Sequence, residues 1–213
     1  MSYAVKEIFL TLQGEGVQAG RRAVFLRFAG CNLWSGLERD RLSAICQFCD
    51  TDFVGMDGEN GGRYGDAAQL ADQVSALWGD RLDRRYVVMT GGEPMLQVDD
   101  ALVAALHGHG FEVAMESNGT IAAQADIDWV CISPKAGSEV VQHSGDELKL
   151  VWPQPGSDVD AMQAWDFTYF LIQPMDGGND MDNAANIQAA MQFVQDNPLW
   201  RLSLQNHKIL GLP

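Results

Sequence analysis

Cys31, Cys46 and Cys49 share one segment, with fourteen residues between the first two and two between the last pair. A close Cys-x-x-Cys pair lets two sulfurs meet one metal centre, and alone it fits zinc or dithiol redox chemistry more often than iron–sulfur. A redox pair has no use for Cys31. A closed zinc site wants four ligands, so Cys131 or a histidine would have to complete it. Cys131, however, sits inside the apolar run Trp129–Ser133, where a free cysteine reads as a small buried hydrophobe. Three thiolates remain. A 4Fe–4S cluster on three cysteines leaves one iron open to take a further ligand and do chemistry, which gives the odd number its sense.

Such a site needs a frame. Short apolar runs rich in Val, Ile and Phe recur at Ala23–Phe28, Tyr86–Thr90, Phe111–Glu116, Trp129–Ser133, Leu148–Trp152, Tyr169–Gln173 and Arg201–Gln205. Continuous runs of this kind predict strands buried on both faces. Helical spacing marks Asp66–Gly79, with Asp66 as N-cap and Gly79 as stop, and also Val98–Gly110 and Asp182–Pro198. The alternation predicts parallel βα units, six or seven strands in one domain spanning residues 1–213. The glycine-rich Gly55–Gly65 reads as a loop. Most strands end in a polar or glycine cluster, and in a barrel of parallel strands those ends share the rim that carries the chemistry.

Three cysteines after the first strand and Gly91-Gly92-Glu93 after the second make the chain similar to the radical S-adenosylmethionine (SAM) superfamily. That family usually spaces its cysteines x3 then x2, so the first gap is eleven residues longer here and the cluster loop is extended. The ordered motifs "LQGEG", "RFAGCNL", "CDT", "TGGEP", "ESNGT", "SPK", "QPMD" and "LSLQNHKILGLP" run from Leu12 to Pro213. Together they resemble the 7-carboxy-7-deazaguanine synthases. The resemblance implies a modified, partial (β/α)6-type TIM barrel. It also implies a radical ring contraction of 6-carboxy-5,6,7,8-tetrahydropterin with loss of ammonia, in queuosine precursor biosynthesis. It assigns Cys31, Cys46 and Cys49 to the cluster and Thr51 to Mg2+, with Asp50 as the competing ligand. Phe48, Cys49, Asp50, Gly91, Gly92, Glu93, Ser133, Pro134, Lys135, Gln173, Pro174, Met175 and Asp176 would meet SAM. Leu12, Gln13, Gly14, Glu15, Arg27, Thr90, Glu116, His207 and Pro213 would meet the pterin, its amino-oxo edge read by Glu15 or Glu116. Arg27 offers a fork suited to the substrate carboxylate and equally to a structural ion pair.

The formal charge of −15 argues against nucleic acid as a partner, because phosphate binding needs clustered Lys and Arg. No secretory leader and no run long enough for a membrane span is visible, so a cytoplasmic address is expected. The resemblance adds a homodimer and an electron donor such as flavodoxin or ferredoxin. Two other functions compete. A radical SAM activase that installs a glycyl radical shares the three-cysteine loop but needs a docking face for a polypeptide. The other is a zinc or iron–sulfur module without catalysis: zinc would give a colourless protein, whereas a 4Fe–4S cluster gives a brown one and SAM cleavage on reduction.

Overall fold

The structure is a computed structural model that describes residues 2–124 and 126–213. Among these residues nine strands form one sheet. They are β1 (Tyr3–Leu12), β2 (Arg22–Phe28), β3 (Gly62–Tyr64), β4 (Tyr86–Gly91), β5 (Glu112–Ser117), β6 (Trp129–Ile132), β7 (Ser144–Trp152), β8 (Asp166–Pro174) and β9 (Trp200–Leu202). The spatial order is β3-β1-β2-β4-β5-β6-β7-β8-β9. Neighbours from β2 to β9 run parallel, whereas β1 is antiparallel to both β2 and β3. The sheet is thus an open, partial barrel of seven parallel strands with an antiparallel extension on one edge.

The seven parallel strands are those marked by the apolar runs. Residues 86–90 of β4 are buried throughout, as a strand covered on both faces requires. The last strand covers Trp200–Leu202, shorter than the expected Arg201–Gln205, while β7 and β8 begin earlier than their apolar cores. The antiparallel edge was not expected. Strand β1 carries Lys6 and Glu7 in its middle, and these interrupt its apolar run. Strand β3 lies within the stretch read as a loop. There Gly61 lets the backbone close on the Lys6 carbonyl, where a Cβ would come within 2.2 Å.

The helices are α1 (Ala67–Trp78), α2 (Asp100–Gly108), the single turn α3 (Val159–Met162), α4 (Asp180–Asp196) and α5 (Asn206–Leu210). Helix α1 starts where expected, because the Asp66 side chain accepts the Gln69 N–H at 2.9 Å and so satisfies one free donor of the first turn. Asp99 and Asn179 cap α2 and α4 in the same way. The buried face of α1 is Leu70, Ala71, Val74 and Trp78, spaced to meet the sheet. Among the described residues, the connections 118–128 and 133–143 contain no helix, so the helical layer of the barrel is incomplete on that side.

Candidate active site

The C-terminal ends of the parallel strands surround a cavity of about 320 Å3, a size suited to small ligands. One wall is the cysteine loop, entered from β2 through Gly30. The chain returns close to where it left, since the N–H groups of Ile45 and Cys46 both donate to the Leu33 carbonyl, at 3.2 and 3.4 Å. Arg41, in the 3₁₀ turn Glu38–Ser43, pins this loop. Its guanidinium pairs with Glu38, donates to the carbonyls of Gln47 and Cys49 at 3.0 and 3.1 Å, and lies 4.0 Å from the centre of the Trp34 ring. The Trp34 ring in turn meets Phe53 edge-on at 5.5 Å. The inserted residues therefore carry their own small framework.

Next to the loop lie Gly91 and Gly92, at the end of β4. The Gly92 N–H donates to the Phe28 carbonyl at 3.3 Å and Glu93 N–H to the Gly30 carbonyl at 2.9 Å. A Cβ on Gly92 would stand 2.0 Å from the Gly30 oxygen and 2.9 Å from the Cys31 Cβ, so only glycine permits this approach. Lys135 closes the same side. Its ammonium donates to the Ser133 carbonyl and hydroxyl, both at 2.7 Å, and stands 5.9 Å from the Phe48 ring centre. Burial pulls the Lys135 pKa down.

The opposite wall is built from charged side chains. Lys149 of β7 reaches Glu15 at 2.5 Å and Glu116 at 3.3 Å. Burial alone would raise the Glu15 pKa, but the Lys149 ammonium prevails and the carboxyl falls to about 2. Arg27 donates through Nε to Glu7 at 2.8 Å, and both residues line the cavity. Arg27 is therefore ion-paired and facing the cavity at once. The tail closes the top. The Asn206 N–H donates to the Gly14 carbonyl at 2.9 Å, and Gln205 bridges Glu15 and Asp50 at 3.0 and 3.3 Å. Lys208 joins Asp50, at 2.6 Å, to Asp176. His207 comes so near Gly14 that a Cβ there would lie 2.3 Å from its ring nitrogen.

All but two of the residues expected at the site line this one cavity. The two outside it are Glu93 and Pro134. The Glu93 carboxylate is fully buried and accepts from Met95 N–H, the Ser117 hydroxyl and Asn118 N–H at 2.8–2.9 Å. It ties the end of β4 to the end of β5. Pro134 offers its carbonyl to Gln154 at 3.3 Å, which pins the Ser133–Lys135 loop. Cys131 is buried as expected, 3.4 Å from Glu147. Sequence reading missed Lys149, Lys208, Gln205 and Arg41. Lys149 did leave a signal: a lysine as the second residue of the apolar run Leu148–Trp152 must find a partner inside.

An open parallel barrel with three thiols at its rim defines a protein of the radical SAM class, and residues 43–148 match the model of the Radical SAM superfamily. The chain is 60% identical to the 7-carboxy-7-deazaguanine synthase of Caulobacter vibrioides and 56% identical to that of Bordetella pertussis, each over the whole of both chains. It belongs to the 7-carboxy-7-deazaguanine synthase family. The crystal structure of QueE from Escherichia coli shares the fold, with a TM-score of 0.71 at 23% identity over 97% of this chain and 95% of that one.

Radical SAM proteins carry a 4Fe–4S cluster and bind SAM, and the residues present fit both. Cys31, Cys46 and Cys49 form no disulfide. Contact with Cys46 brings the Cys49 pKa down to about 6, favouring the thiolate that iron binds. The same contact pushes Cys46 up and burial pushes Cys31 up, so those two bind iron with release of their protons. Among the described residues no three His, Cys, Asp or Glu side chains gather as a single ion would need. In a cubane each cysteine takes a different iron, so its sulfurs stand farther apart than the ligands of one ion. Gly91 and Gly92 line the cavity beside Cys31, and their missing side chains let the Phe28 and Gly30 backbone close in behind them.

Proposed function

We propose that the chain converts 6-carboxy-5,6,7,8-tetrahydropterin to 7-carboxy-7-deazaguanine by radical ring contraction with loss of ammonia, supplying the queuosine precursor. The observation that carries this reading is the two-walled cavity. Thiols and bare glycine backbone stand on one side, and a carboxylate pair, an arginine and amide side chains stand on the other. Cys31, Cys46 and Cys49 would hold the cluster, and Gly91, Gly92, Ser133 and Lys135 would hold SAM beside it. When bound, the cluster and SAM together supply one-electron hydrogen-atom abstraction. The chain does the rest by placement. Glu15 and Glu116 accept from the donor edge of the pterin, Arg27 faces its carboxylate, and Thr90 closes the strand between the two halves. His207 and Pro213 cover the site and exclude water.

Mg2+ belongs to the same reading. A hard cation needs oxygen ligands, few of them from protein when substrate and water supply the others. Asp50 is already engaged by Lys208 and Gln205, which favours the Thr51 hydroxyl as the protein ligand. The whole of residues 1–213 is read as one catalytic domain, acting in the cytoplasm as a homodimer with flavodoxin or ferredoxin as reductant. No helix among the described residues is long and apolar enough to cross a membrane.

The glycyl-radical activase reading is disfavoured by the family to which the chain belongs. Against it, the tail crosses the cavity mouth from Gly14 to Asp176 and leaves room for a small molecule rather than a polypeptide loop. The deciding test is anaerobic incubation of reduced, cluster-loaded protein with SAM and the carboxypterin. Formation of 7-carboxy-7-deazaguanine is expected. SAM cleavage without that product would defeat the reading.

A further inference from the structure

The charged wall contains a closed ring of hydrogen bonds. Lys149 is buried, its side chain 4% exposed, and its ammonium contacts one oxygen of each carboxylate, Glu15 Oε2 at 2.5 Å and Glu116 Oε2 at 3.3 Å. The other oxygens are held by amides. Glu116 Oε1 accepts from Gln13 Nε2 at 2.9 Å, and Glu15 Oε1 accepts from Gln205 Nε2 at 3.0 Å. Gln13 Oε1 then accepts the Glu15 N–H at 3.0 Å. Lysine, two glutamates and glutamine thus close a circle drawn from β7, β5 and the β1–β2 connection. The remaining charged and titratable groups around it are Cys131 on β6, Glu147 two residues before Lys149, Lys135 beyond the end of β6, Tyr86 on β4, and His207 from the tail.

We propose that Lys149 is a positioning residue that holds Glu15 and Glu116 as two fixed, charged acceptors, and that this pair selects a fused heterocycle presenting an amino-amide donor edge. The inference rests on the pterin reading above and assigns part of its specificity. Two carboxylates sharing one ammonium stay ionised together. Take the ammonium away and two like charges face each other in a buried wall, so one carboxylate takes up a proton. A protonated carboxyl then points a donor at the donors of the ligand, and both are left unpaired. A heterocycle with a carbonyl in place of the amino group would suffer less, so discrimination between the two narrows.

The test compares full-length, cluster-loaded wild type with Lys149→Met. It reads kcat and KM for the carboxypterin across pH, with inhibition by the analogue that carries oxygen in place of the 2-amino group. Iron content and SAM binding are the controls and are expected to be unchanged. For Lys149→Met, kcat/KM is expected to fall about tenfold or more at neutral pH, the effect of a carboxylate proton held one unit above it. The loss should recover as pH rises, and kcat should move less than KM. Analogue inhibition should strengthen relative to pterin binding. If Lys149→Met does not fold, Lys149→Gln keeps a polar group without the charge and should show the same displaced acid limb. A loss equal at every pH, with unchanged discrimination, means that Lys149 only supports the wall and overturns the proposal. Wild type that leaves the carboxypterin unreacted overturns the proposed function, and this inference with it. Active wild type with a lysine variant of parallel profile overturns this inference alone.

Discussion

At Gly92 a single methyl group decides whether the cluster loop can sit where it does. A Cβ would press on the Gly30 carbonyl and the Cys31 Cβ, a backbone atom and a side-chain atom bonded directly to backbone, neither of them a flexible side-chain end. Gly92→Ala is therefore expected to lose SAM affinity and also part of the iron, read by equilibrium binding and by visible absorption. A plain turn glycine would lose neither. Single Cys31→Ala, Cys46→Ala and Cys49→Ala variants should lose the brown colour, whereas Cys131→Ala should keep it, since that thiol faces Glu147 inside the barrel. Glu15 supplies a pH prediction. Its carboxyl lies at about 2 against an ordinary 4.5. A depressed folded-state pKa contributes stability above the ordinary value, and that stability is lost as pH falls from about 4.5 towards 2. Acid unfolding of Glu15→Gln should therefore be shallower in this window than that of wild type. A wild-type slope would show that the Lys149 pair adds nothing to folding. The thiols and glycines were legible from their types and spacing. Lys208 and Arg41 were not, because their meaning lies in partners that are brought together only by the fold.

The elements divide into those that build the frame and those that complete the cavity. Helix α1 belongs to the frame. Leu70 is wholly buried against the sheet, and Leu70→Ala is expected to cost about 2–5 kcal/mol in chemical denaturation. The cluster spectrum of the folded fraction should not change, as α1 does not line the cavity. Helix α5 belongs to the cavity. Lys208→Met removes the bridge between Asp50 and Asp176 and should raise the KM for SAM with little change in melting temperature. An unchanged KM would place the bridge outside the binding step. The parallel strands could be read from sequence because burial on both faces writes itself as a mostly continuous apolar run. The antiparallel edge could not. Strand β1 mixes Lys6 and Glu7 into its middle, and β3 is three residues held by backbone contacts that glycine allows. The absence of helices among the described residues after β5 and β6 left no sign either, since absence of helical periodicity is shared by every long loop.

For the whole molecule, charge governs encounters. A net −15 repels an acidic protein reductant at long range, and salt screens that repulsion. With an acidic flavodoxin as donor, the rate of cluster reduction should rise as salt is added over the range where the Debye length shrinks. A rate that falls instead would reveal a local basic docking patch strong enough to override the global charge. The extended cysteine loop has a different whole-chain consequence. Leu33 receives both Ile45 and Cys46, so the insertion leaves and rejoins the frame at nearly one point. Closing fourteen residues instead of three costs only about 1.4 kcal/mol of chain entropy, because the cost grows with the logarithm of length. Arg41 and Trp34 offset part of that from within the insertion, and Trp34 packs on Phe53 beyond it. The spacing between the first and second cysteine is thus thermodynamically cheap to vary, while the two-residue gap of the close pair is not. The superfamily match accordingly begins at residue 43 and leaves Cys31 outside it. The length of this interval can therefore change at small cost as long as the loop stays pinned, so a ligand set defined by fixed spacing will lose its first member before the protein loses its cluster.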